Sequence, residues 1–216
     1  MPKKTPKQPK TRAILVTLTK EPFQPVRLYY AIPDRAFVTK RLRQLQCMVD
    51  VPAERCWHWL ADDEAADLPI PDGCKAELVN GQPILLGRLH LPREGGMTIQ
   101  INSIGRAIAA ARFFAPRLGP EVVAMRCRMV NRFFDGDEGP LPNLIKLLDP
   151  DGAERAAEVG VRNGIAKGKS APRVEDFPLD PATETPEFRN LETMLKLRSI
   201  LAMEHWKDNN PEGQMV

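Results

Sequence analysis

The sequence predicts a single α+β domain, a mostly antiparallel sheet with packed helices, followed by a C-terminal linker and helix. Three observations lead there. Between residues 83 and 134 the apolar period changes from 2 to 3.6 and back, reading strand, strand, helix, strand. Hydrophobic residues make up 43% of the 216, enough for a core, and no apolar run reaches the roughly 18 residues of a membrane helix. The 21 prolines, about twice average usage, assign much of the remaining chain to loops.

The elements follow in order. Residues 1–12, MPKKTPKQPKTR, hold five basic groups, no acid and no apolar periodicity, and are expected to form a disordered basic arm. The core domain is expected over 13–148. Residues 13–19 (AILVTLT) and 26–32 (VRLYYAI) are β-branched and apolar, as strands require. Pro33 stops the second, and Asp34 can cap a helix whose apolar face is Val38, Leu42, Leu45 and Val49. Residues 47–61 can form a hairpin around Pro52, with Trp57 and Trp59 on one core-facing side, in which case Val49 either ends the helix stripe or begins the strand. Asp62, Asp63 and Glu64 suit the first turn of a short helix through Leu68.

Residues 83–91 and 97–102 are strands joined by a Pro/Gly turn. Ser103 caps the alanine-rich helix IGRAIAAARFFAPRL, buried through Ile104, Ile108, Ala111 and Leu118, which Pro116 should end or kink. Residues 121–134 form the longest strand, and 141–148 a short helix. Residues 149–185, with four prolines before the final helix, are expected to be a linker or wrapping arm. A helix over 186–207, capped by Thr185 with Pro186 at its first position, carries an amphipathic face.

Charge is distributed unevenly. Residues 1–50 carry eleven basic and three acidic groups, net +8, whereas 51–100 carry four and eight, net −4. A basic first quarter is suited to a polyanion. With period 2, Arg126, Arg128 and Arg132 share one face of the last long strand with Val122, Ala124 and Val130, and the helix before it adds Arg106, Arg112 and Arg117. A guanidinium is a planar fork that matches phosphate oxygens. The first expectation is therefore a non-enzymatic nucleic-acid-binding accessory protein. Lys3, Lys4, Lys7, Lys10, Arg12, Arg106, Arg112, Arg126, Arg128 and Arg132 would hold phosphates. Against this stands pairing of the same arginines with the protein's own acids.

A second expectation is an adaptor or assembly subunit docking on a protein partner through Phe188, Leu191, Leu195 and Leu201. A third is a metal-dependent nuclease or hydrolase using Asp62, Asp63, Glu64 and Asp67. The remaining motifs predict no cofactor and no metal. Residues 163–170 (NGIAKGKS) lack the first glycine of a phosphate-binding loop, and Pro172 follows where a helix must start. The Asp135–Gly139 run lacks the later oxygens of a calcium loop. Cys56, His58, Cys74 and His90 are zinc-ligand types at spacings that match no finger or ribbon. Four scattered cysteines and no secretion signal suggest free thiols in the cytoplasm, with no membrane attachment.

Overall fold

Alternating apolar residues build one antiparallel sheet. Its strands are β1 (Val26–Ala31), β2 (Met48–Val51), β3 (Cys56–Leu60), β4 (Leu85–His90), β5 (Met97–Ile101), β6 (Val123–Val130) and β7 (Val174–Pro178), in the order β2-β3-β4-β5-β1-β6-β7. The helices are α1 (Arg35–Leu42), α2 (Ile104–Leu118) and α3 (Glu187–Asn209). The structure, a computed structural model, describes residues 13–66, 68, 83–93, 95–136, 144–149, 174–178 and 187–209. Helices packed on an antiparallel sheet make this an α+β domain.

One face of the sheet forms the core. Leu28 stands between Ile99 and Cys127, and Leu89 between Ile99 and Trp57, each on a neighbouring strand. Trp59 lies opposite Gly87, where a Cβ would come within 3.6 Å of the indole and 3.1 Å of the Gln100 carbonyl. Glycine there lets the ring lie close to the sheet. Phe113 and Phe114 of α2 close over Trp59, with ring centroids 5.3 and 5.2 Å away. Ser103 accepts the Arg106 N–H at 3.2 Å and so caps α2, as its position before the helix implied.

A buried ion pair ties the N-terminal segment to α2. Arg106 Nε donates to Glu21 Oε2 at 2.6 Å, Thr19 Oγ1 donates to the same oxygen at 2.6 Å, and Ser103 Oγ donates to Oε1 at 2.9 Å. The guanidinium also reaches Thr17 Oγ1, Thr19 Oγ1 and the Leu85 carbonyl. Both side chains are less than a tenth exposed.

Several elements depart from expectation. Residues 13–19 make isolated bridges, Ile14 to Asp135 and Val16 to Pro22, rather than a strand, because this segment folds back on itself around Lys20. α1 ends at Leu42, so Leu45 falls in the following turn and Val49 is an exposed residue of β2. The acidic run 62–64 forms a single 3-10 turn, Asp63–Ala65. Pro116 sits in the last turn of α2, which continues to Leu118.

β6 stops at Val130, and a register shift where it meets Tyr29 and Tyr30 leaves Met125 unpaired. An extra residue reverses facing beyond it. Ala124 therefore packs on the core instead of sharing a face with Arg126. The segment expected as a linker or wrapping arm contains β7, a sheet strand paired with β6. α3 is part of the domain: Leu191 and Leu195 enter the main core, and Trp206 Nε1 donates to the buried Asp135 carboxylate at 3.1 Å. No helix among the described residues is long and apolar enough to cross a membrane.

Candidate functional site

The opposite face of the sheet is polar. One transverse row runs Val49, His58, Arg88, Gln100, Arg27, Arg128, Asp176, each residue opposite the next. Neighbouring acids meet its arginines. Arg27 Nη2 bonds Asp149 Oδ1 at 3.1 Å, and Arg88 Nε approaches Glu54 Oε2 at 3.4 Å. Arg126 and Arg128 share the Asp176 carboxylate, each at 3.6 Å, and Arg126 stacks over the Tyr29 ring at 4.0 Å. Four arginines against three carboxylates leave this face close to neutral.

Charge is unbalanced at the end of the sheet instead. A cleft of about 950 Å³ lies between α1, the β2–β3 hairpin and the β4–β5 turn. Asp34 starts α1 by accepting the Phe37 N–H at 2.7 Å. With the helix set, Val38 and Leu42 face the core, while Arg35, Thr39 and Arg43, spaced by four, line the cleft. Arg55 enters from the hairpin turn and Arg93 from the β4–β5 turn. Among the described residues Asp50 is the one acid of the lining, where four arginines meet one carboxylate. None of the four makes an ion pair among the described residues. His90, Cys56 and Thr98 join the cleft to the polar face. Burial, with the nearby charges of Arg27 and Arg88, pushes the His90 imidazole below its usual 6.5, which favours its neutral form.

The residues expected from sequence are distributed differently. Lys3, Lys4, Lys7, Lys10 and Arg12 lie outside the described residues. Arg106 is buried on Glu21 and cannot reach a ligand phosphate without breaking that pair. Arg112 is exposed and pairs with Glu192 of α3. Arg132 is buried beyond the end of β6, where its Nε donates to the Phe133 carbonyl at 3.1 Å, so it does not continue the Arg126–Arg128 stripe.

Of the docking residues, Leu191 and Leu195 are buried within the protein itself, Leu201 is exposed, and the Phe188 side chain lies outside the described residues. Of the acidic cluster, Glu64 accepts the N–H groups of Gln46 and Cys47, both at 3.0 Å, and Asp62 accepts that of Asp63. Asp67, Cys74, residues 137–143 and the 163–170 loop lie outside the described residues.

Sequence reading missed Arg35, Arg43, Arg55 and Arg93. The first two carry a legible signal, a basic helix face in the most basic quarter of the chain. The other two are separated from it by loops, and only the fold brings them there. Comparison with protein-family models, with curated proteins and with solved structures finds no match to this chain.

Proposed function

We propose that the protein binds nucleic acid through its phosphates, in the arginine cleft at the end of the sheet. The observation that supports this is the convergence of Arg35, Arg43, Arg55 and Arg93 on one cleft with Asp50 as the single opposing carboxylate among the described residues. Arginine forks suit phosphate oxygens, and a cleft that opens onto a polar sheet face suits a chain of phosphates better than an enclosed small molecule. The Arg126–Arg128 stripe, held by Asp176, contributes less.

Four phosphate contacts predict a salt slope near −3 for a single strand, at about −0.7 per contact. The test is fluorescence anisotropy with single- and double-stranded DNA and RNA across a salt series, with a mononucleotide as competitor. Arg43→Ala with Arg93→Ala should weaken binding at least tenfold and reduce the slope by about 1.4. Arg126→Ala with Arg128→Ala should act less. Unchanged affinity and slope in the first pair, or full competition by the mononucleotide, would refute the reading.

One observation supports an adaptor role as a second reading. Leu197, Ile200 and Leu201 of α3 are 48%, 56% and 43% exposed at spacings of 3 and 1, an apolar stripe turned away from the core. Replacing all three with glutamine should leave the fold intact and abolish partner binding or self-association, read as mass in solution.

A further inference from the structure

We propose that Glu54, Cys56 and His58, brought together on one face of the β2–β3 hairpin, form a three-ligand site for Zn2+ or a similar thiophilic divalent ion. Their ligand atoms, a carboxylate oxygen, Sγ and a ring nitrogen, all lie within 4.8 Å of one another. Glu54 Oε2 is 3.0 Å from His58 Nε2 and 3.8 Å from Cys56 Sγ. Around a tetrahedral Zn2+, with bonds of about 2.0–2.3 Å, such donors stand about 3.4–3.6 Å apart. The two distances from Glu54 need shifts of about 0.2–0.6 Å, and the Cys56–His58 pair, within 4.8 Å, needs to close by up to about 1.2 Å.

The hairpin explains the convergence. Cys56 and His58 are alternate residues of β3 and project to the same face, while Trp57 between them anchors the strand in the core. β3 is paired on both sides, with β2 and β4, which fixes the two donors relative to each other. The Pro52–Arg55 turn, with Arg55 in the left-handed region at φ 54°, returns Glu54 over that face.

The donor set suits the metal. Thiolate plus imidazole selects Zn2+ or Co2+ over Mg2+ or Ca2+, and the carboxylate completes a borderline-soft set. Thiolate and carboxylate together neutralise the ion's two charges, which makes it compatible with Arg88 at 3.4 Å from Glu54. Arg88 then orients the carboxylate. Three protein ligands leave one tetrahedral position for water or an anion, and Cys56 is also a wall residue of the arginine cleft. The site stands independently of the nucleic-acid reading.

The test is anaerobic titration of the metal-free full-length protein with Co2+, followed by displacement with Zn2+. The expected result is one equivalent bound, with a near-ultraviolet thiolate-to-cobalt charge-transfer band and the strong visible absorption of a four-coordinate ion, both lost on adding Zn2+. Cys74→Ser should keep the band and Cys56→Ser should abolish it. His58→Gln, at a partly exposed strand position, should weaken Co2+ binding at least tenfold with an unchanged near-ultraviolet circular dichroism spectrum. Absence of the band in the wild type, its survival in Cys56→Ser, its loss in Cys74→Ser, or unchanged affinity in His58→Gln would overturn the assignment.

Discussion

Replacing Glu21 with glutamine keeps the shape of the side chain and removes its charge. In the folded protein that carboxylate accepts three hydrogen bonds, from Thr19, Ser103 and Arg106, and neutralises a guanidinium only 6% exposed. Without it the Arg106 cation remains buried, held only by neutral oxygens. Removing one partner of a buried pair costs about 3–5 kcal/mol, because the other charge loses both water and counterion. Against a total stability of about 5–15 kcal/mol this is a large share. At about 2–4 °C per kcal/mol for a chain of this size, the melting temperature should fall by about 6–20 °C.

Urea denaturation followed by tryptophan fluorescence measures the loss, and an unchanged m-value would assign it to the native state. Glu21→Leu combined with Arg106→Met should cost less than Glu21→Leu alone, since no buried charge then remains. Gly105→Ala belongs to the same cluster. Its Cβ would stand 2.9 Å from Glu21 Oε1, so the substitution should destabilise despite alanine's helix propensity. A loss below about 1 kcal/mol in Glu21→Gln, or additive costs in the double variant, would refute the view that this pair is a coupled buried charge.

Three further outcomes are expected. Trp59→Ala removes a fully buried ring packed on Phe113 and Phe114 and should cost about 3–5 kcal/mol in the same urea assay; a loss under 1 kcal/mol would mean the site collapses freely. Burial pushes the Cys47 and Cys127 thiols up to about 12, so iodoacetamide at pH 8, read by peptide mass spectrometry, should spare both in the native protein and modify both in denaturant.

The N–H groups of Gln46 and Cys47 hold the Glu64 carboxyl below its usual 4.5. A carboxylate with a depressed native pKa stabilises the fold above its unfolded value, and that contribution is lost as pH falls through the native one. The stability gap between wild type and Glu64→Gln should therefore be present at pH 7 and shrink below about pH 4. A gap independent of pH would assign the effect to shape rather than charge.

Local and periodic features were legible in the sequence because they depend on neighbouring residues. Asp34 and Ser103 cap the helices they precede, alternation places Trp57 and Trp59 in the core, and the hairpin forms around Pro52. The strand–strand–helix–strand block from Leu85 to Val130 follows its change of apolar period. Elements with weak periodicity were not legible. β7 lies in a proline-rich stretch and becomes a strand because the edge of β6 offers it a ladder. The residue left unpaired at Met125 comes from register against β1, which no local pattern encodes.

The basic character of the chain was determined by its composition, but which arginines remain available was decided by the tertiary structure. Arg106 meets Glu21 from 85 positions away, and Arg126 and Arg128 meet Asp176 only because β7 adds to β6 in that register. The four cleft arginines come from a helix, a hairpin and a turn that only packing brings together. A charge acts at short range through space, so its partner is set by the fold rather than by the spacing along the chain.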